Sequence, residues 1–239
     1  MMATTIIVVV ALVTSVLVVV NLLTNLWAKQ HYLLISLWAT GVLLAIAYLA
    51  EISWAQLGLG FGGGAQTRGL IWSAILLGIV ILGYAVAAAL PFTRKGFADA
   101  RTAQMGVGRF LYHAFLRIPV GTALMEEVAF RGVLLAACIT AFGTVWGVAI
   151  SSLLFGLWHV LPALEFHEAS STTDRLGNGW RGKLTTVGGQ VLGTGAAGVG
   201  FAMVRLLSDS LLPAITLHAA LNALGFALSW AFARRLRDI

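Results

Sequence analysis

Apolar residues dominate this chain in long uninterrupted runs, broken by short polar or glycine-rich stretches. About 20 apolar residues cross the hydrocarbon core of a bilayer as a helix. Runs of that kind fall at about 5–26, 33–50, 70–90, 120–140, 143–164, 186–207 and 211–232. Each is expected to be helical, because hydrocarbon cannot satisfy an open backbone. The pattern therefore predicts an all-α polytopic bundle of about seven transmembrane helices. Residues 107–118 add a shorter element. Phe110, Leu111, Ala114, Phe115 and Ile118 recur at helical spacing, and Arg109, His113 and Arg117 lie on another face. This suits a short helix in the membrane interface, with Pro119 marking the turn into the fourth span.

Composition agrees. The 239 residues are 59% hydrophobic and 10% charged, against roughly 25% charged in soluble domains. Too little polar surface remains to cover a water-exposed globule, so the chain reads as one membrane domain over 1–239. The opening run has no basic leader and no small-residue cleavage site, and is read as a retained helix rather than a signal peptide. Residues 58–69 are glycine-rich and read as a flexible loop. No strand or βαβ unit surrounds them, so they are not a dinucleotide signature. The loop from Glu165 to Lys183 is polar and expected to be exposed.

The net charge of +6 raises nucleic acid as a partner, but its distribution argues against one. With seven spans, one side receives Lys29, Arg94, Lys95, Arg101, Arg109, Arg175, Arg181, Lys183, Arg234, Arg235 and Arg237. The other receives Arg68 and Arg205. Basic residues concentrate in cytoplasmic loops. The expectation is an N-terminus outside and a cytoplasmic C-terminus, with no nucleic-acid partner. The single cysteine, Cys138, cannot form an internal disulfide.

Ionisable residues inside membrane helices are costly and mark function. The fourth span carries Glu126, Glu127 and Arg131, the fifth Phe155 and His159, and the seventh His218 and Asn222. Glu127 and Arg131, four residues apart, share a helix face and can pair. Glu126 points about 100° away, beside Phe130, and is the freer carboxylate, suited to general-base work. His218 and Asn222, also four apart, can direct hydrogen bonds to one point, as an oxyanion requires. Each feature alone has a plain alternative: an ion pair fastening helices, a packed histidine, or His and Asn as interhelical glue. Together the residues need that alternative three times over. His31, His113, His167, Asn21, Asn25 and Gln190 are read as structural.

Glu-Glu-x-x-x-Arg, then Phe-x-x-x-His, then His-x-x-x-Asn, in order on successive hydrophobic segments, resembles the CPBP family. That family comprises the type II CAAX prenyl proteases and the bacteriocin-processing or self-immunity (Abi) proteins. Phe130-Arg131-Gly132 and Ser210-Leu-Leu-Pro213 fit as flanking text. The similarity covers roughly residues 118–228, within a catalytic core over 107–232. Residues 1–106 form the variable leading helices usual in such proteins.

The resemblance implies peptide-bond hydrolysis within the membrane. Glu126 and His159 would activate water, His218 and Asn222 would hold the oxyanion, and Glu127 and Arg131 would support them. It also implies a peptide or membrane-protein substrate, prenylated or not. The lack of targeting signals suggests a bacterial plasma membrane as the setting. No cofactor is required in this glutamate-type reading. In the metal-dependent alternative, Glu126, His159 and His218 would bind zinc. Two further readings compete: a non-catalytic scaffold or regulator that binds a peptide partner, and a proton-coupled transporter. The absence of an inverted repeat weighs against the transporter.

One difficulty follows from spacing. If all spans begin at the same level, His159 lies about 16 residues into its helix and His218 about seven. That is roughly 13 Å of mismatch in depth at 1.5 Å per residue. A common site then requires a displaced boundary, a tilted or broken helix, or a sixth segment that does not fully span.

Overall fold

The computed structural model describes residues 3–97, 102, 104–169 and 179–237. Arg101, Arg175 and residues 170–178 of the expected polar loop lie outside the described residues. Among the described residues the chain is helical, with no strand.

Helix α1 is Ala3–Leu22, widening into a π-helical turn over Leu23–Trp27. α2 is Tyr32–Leu49 and α3 is Ala65–Ala89. The short α4, Pro91–Phe97, follows. α5 comprises residues 107–142 and α6 residues 144–158. α7 is Val160–Ala169, α8 Trp180–Ser208 and α9 Leu212–Arg237. Six segments are long and apolar enough to cross a membrane. One of them, Val107–His167, has 61 residues, about three bilayer thicknesses as a straight helix. It cannot be one crossing. At Gly143 the backbone takes φ 80°, ψ 170°, a conformation that suits a residue without Cβ. The chain reverses there, and α5 and α6 form a hairpin. Seven crossings result among the described residues, and the protein is a multi-pass membrane protein.

The packing shows which surfaces face lipid. On α1, Ile6, Val9, Val13, Leu17 and Val20 are buried, while Ile7, Val8, Leu12, Val18 and Val19 are exposed. The helix is apolar all round but only one stripe meets protein, and lipid suits the rest. On α5 the whole stretch 125–138 is buried. This central helix is enclosed by its neighbours, and it carries Glu126, Glu127 and Arg131.

Pro119 does not mark a turn. It lies inside a π-helical stretch, His113–Leu124, which joins Val107–Tyr112 to Met125–Glu127 without a break. Altered winding is one way membrane helices absorb a proline. A second π-helical stretch, Val128–Leu134, follows the glutamates.

The glycine-rich segment is not a loose loop. Residues 65–69 already belong to α3. Leu57 is buried. The Gly58 carbonyl accepts the backbone N–H of Leu211 at 2.8 Å. The guanidinium of Arg205 donates to the carbonyls of Ala55 and Gln56. The backbone bond from Leu211 and the buried arginine of α8 together clamp the segment to the start of α9 and the end of α8.

The same clamp removes the depth difficulty. A Cβ on Gly132 would lie 3.8 Å from both the Leu211 side chain and the Leu57 carbonyl, so α9 begins at the level of Gly132. Roughly eleven residues of α5, about 16 Å, run on from there to Gly143. The α5–α6 hairpin overshoots the start of α9 by that distance, exposing Phe142, Val145 and Trp146. The two spans do not start level, so their histidines need not be displaced. The sixth segment is an unbroken 29-residue helix.

α8 packs closely on α6 through small residues. A Cβ on Gly156 would meet the Val191 carbonyl at 2.6 Å, a backbone atom that cannot rotate away. Gly156→Ala should therefore destabilise the protein by about 1–3 kcal/mol. Gly193→Ala, where no atom lies within 4 Å, should be neutral or slightly stabilising. Thermal unfolding in detergent distinguishes the two. Equal midpoints would mean that α6 and α8 do not approach in this way.

Candidate active site

The four ionisable groups that sequence placed on the fourth and seventh spans meet in one buried cluster. Glu126, Glu127, Arg131 and His218 are between 0% and 5% exposed. Arg131 Nη1 donates to Glu127 Oε1 at 3.1 Å, the expected i, i+4 pair. His218 Nδ1 bonds the same oxygen at 2.7 Å. One carboxylate thus ties α5 to α9. His218 Nε2 then faces Glu126 Oε2 at 3.9 Å. Trp158 Nε1 donates to the other oxygen, Glu126 Oε1, at 3.1 Å. Glu126 Oε2 has no hydrogen-bond partner among the described residues.

Aromatic rings enclose the cluster. The Arg131 guanidinium lies 3.9 Å from the ring centroid of Phe155 and 4.8 Å from that of Phe201. Desolvated contacts of this type are worth about 2 kcal/mol or more. Phe201 also stacks on His218, with centroids 5.2 Å apart. Phe155 packs edge-on against His159 at 4.7 Å and lies 6.1 Å from His218. A single phenyl ring therefore separates the two histidines.

His159 sits at a break between α6 and α7, and the break explains its state. Its N–H bonds Gly156 rather than Phe155. The Phe155 carbonyl is freed and accepts His159 Nδ1 at 2.8 Å. A carbonyl can only accept, so Nδ1 carries the proton, and Nε2 of the neutral ring is left as the basic nitrogen. Pro162 removes the N–H that would have bonded the Trp158 carbonyl. Asn21 on α1 donates to that carbonyl at 2.7 Å instead. Asn21 is structural, but its bond reaches the residue that holds Glu126.

The structure does not pair Glu126 with His159. Within ion-pair distance of Glu126 the described imidazole is that of His218. Asn222 lies one turn beyond His218 on an exposed face and makes no side-chain hydrogen bond with described residues. The site draws on α8 as well as the fourth, fifth and seventh spans, because Phe201 lines it. Trp158 and Phe201 were not identified from sequence. A signal existed for Trp158, since tryptophan prefers the membrane interface and this one lies deep in a span beside His159. Phe201 carried none.

The zinc alternative would draw on Glu126, His159 and His218; of the two imidazoles, that of His218 lies within ion-pair distance of Glu126. Among the described residues no group of three or more His, Cys, Asp or Glu side chains is arranged to hold a metal.

The family model described as "Type II CAAX prenyl endopeptidase Rce1-like" matches residues 108–224. Over this segment the chain is similar to that family of intramembrane proteases. Searches of curated proteins and of solved structures find no match.

Breaking a buried ion pair from one side leaves an uncompensated charge and costs about 3–5 kcal/mol. Arg131→Met should destabilise by that order. Glu127→Gln combined with Arg131→Met should recover part of the loss, because no lone charge stays buried. Denaturation of the single and double variants in detergent checks this. A double variant as unstable as the sum of the singles would refute a direct pairing.

Proposed function

We propose that the protein is an intramembrane endopeptidase in which Glu126 and His159 activate the attacking water. His218 and Asn222 stabilise the oxyanion, and Glu127 and Arg131 position them. The observation that carries this reading is the arrangement around Glu126. One carboxylate oxygen is anchored by Trp158, the other is unpaired, and His218 stands 3.9 Å from it.

The roles follow from those contacts. Glu126 Oε2 takes a proton from water, with His159 Nε2 as the second acceptor. The resulting hydroxide adds to the scissile carbonyl carbon. His218 is held by Glu127 through Nδ1, so its Nε2–H points toward the reacting centre and donates to the developing oxyanion. Asn222, without a side-chain hydrogen bond among the described residues, adds a second donor. On collapse the proton held by Glu126 passes to the leaving amine. With both carboxylates ionised, Arg131 and an imidazolium at His218 neutralise the cluster, which matters where solvent cannot.

An apolar cavity of about 330 Å³ between α1 and α6 ends on Phe130 and Trp158. It suits an apolar substrate segment or an isoprenoid chain close to Glu126. The basic-residue asymmetry supports an outside N-terminus and a cytoplasmic C-terminus.

Glu126→Gln keeps the shape and the Trp158 contact but removes the base. We expect kcat to fall by about 10²–10⁴ with an unchanged unfolding midpoint, and uncleaved substrate to co-purify. Asn222→Ala should lower kcat by about 10²–10³ if it is an oxyanion donor. Wild-type turnover in the glutamine variant would overturn the assignment. Loss of activity on chelation, restored by stoichiometric zinc, would overturn the metal-free mechanism.

A further inference from the structure

A second polar cavity, of about 330 Å³, lies where the start of α2 meets the start of α5. It is lined by Lys29, Tyr32, Arg109, Tyr112, His113 and Arg117, together with Gln30. No carboxylate lines it. Lys29 has one acidic partner, Glu165 at 3.2 Å, and both side chains are about half exposed. Arg109 and Arg117 pair with no carboxylate among the described residues. Arg117 lies instead over the ring of Tyr32, 4.0 Å from its centroid. Both arginines lie close enough to His113 for their charges to act on it. Two guanidinium groups and an ammonium thus converge on one concavity, and among the described residues the ammonium alone has an acidic partner.

The surroundings indicate which anion. The cavity sits at the ends of membrane-crossing helices. Exposed apolar and aromatic side chains flank it: Leu26 and Trp27 on one side, Leu111, Phe115 and Leu116 on the other. From Tyr32, α2 runs on to line an apolar groove of about 350 Å³ with Leu23, Leu34, Ile35 and Trp38. A basic cavity beside an apolar groove, at a helix end, complements a molecule with an anionic head and hydrocarbon tails. Basic pockets between membrane helices bind anionic head groups in this way.

We propose that this cavity is a binding site for an anionic phospholipid, with Arg109, Arg117 and Lys29 on the phosphate and Tyr32 and Tyr112 at its edge. The bound head group would brace α2 against α5. Tyr32 Oη and Thr122 Oγ1 are hydrogen-bonded at 3.0 Å, one helical turn before Glu126. The site is separate from the cluster proposed for hydrolysis, and its test does not depend on that activity.

The full chain, released in detergent, is titrated with phosphatidylglycerol and with phosphatidylcholine of the same acyl chains, and retained lipid is read by native mass spectrometry. Phosphatidylglycerol should be retained preferentially. Arg109→Gln with Arg117→Gln should weaken it about thirtyfold, from about fivefold for each cation near a membrane surface. Arg109→Lys with Arg117→Lys should keep most of the binding. Arg181→Gln with Arg234→Gln, which removes equal charge elsewhere, should leave it within about twofold. If the double glutamine variant unfolds, Arg109→Gln alone, at an exposed position, should show the fivefold step.

Several results would overturn the proposal. They are equal retention of the two lipids, an equal loss in the charge-matched control, and no change in Arg109→Gln. Two more are displacement by inorganic phosphate as readily as by lipid, and displacement by a peptide with a free C-terminal carboxylate but not by its amide. The last would reassign the cavity to a peptide terminus.

Discussion

Glu127 is fully buried, yet its Oε1 accepts from both Arg131 and His218. Placing a charge at the centre of a membrane helix costs about 2.5–3.5 kcal/mol even on the mildest scale. The carboxylate and the guanidinium therefore have to find each other, and the imidazole completes the shell. This shared oxygen fixes how α9 sits against α5, because His218 must present Nδ1 to it. Once Nδ1 is committed, Nε2 can only turn toward Glu126. The geometry around the second carboxylate is thus set by the first. Phe155 and Phe201 complete the arrangement by covering the guanidinium with ring faces rather than with water.

The rest of the bundle answers a second demand of lipid: no backbone carbonyl can be left bare. Each irregularity near the site is met by a specific donor. Pro162 strips the Trp158 carbonyl of its helical partner, and Asn21 supplies one. The turn at His159 strips the Phe155 carbonyl, and the imidazole itself supplies one. The first repair holds Trp158, which in turn holds Glu126. The second fixes which nitrogen of His159 is basic. Two departures from regular helix therefore set the orientation of two of the residues proposed to act on water.

Local spacing made some of this legible. Glu127–Arg131 and Phe155–His159 are four residues apart on single helices, and both contacts form as spacing predicts. Contacts between helices were not legible. Nothing in the separation of His218 from Glu127 says that they bond, and so the nearest described imidazole to Glu126 proved to be His218 rather than His159. The segment at 58–64 was misread for a related reason. Its glycines suggest freedom, whereas the buried Arg205, far along the chain, binds the adjoining carbonyls and takes that freedom away. The apparent depth mismatch came from assuming that every span begins at one membrane plane. The α5–α6 hairpin projects well past the start of α9, and the clamp at Gly58 and Leu211 is what draws that start inward.

The leading helices also take on more than their lack of motifs suggests. Tyr32 on α2 bonds to α5, which carries three of the buried charges, and Asn21 on α1 bonds to Trp158, which holds Glu126. α5 is closed on every side over 125–138, so a substrate cannot approach Glu126 across the faces of that helix. Approach has to come past residues that stay open. Asn222, exposed one turn from His218, and His159, only partly buried at the helix break, are two such residues. Both contribute to the proposed chemistry from the rim rather than from the centre. In the proposed chemistry the enclosed Glu127 and Arg131 hold charge in place, while Asn222 and His159 reach the peptide from the rim.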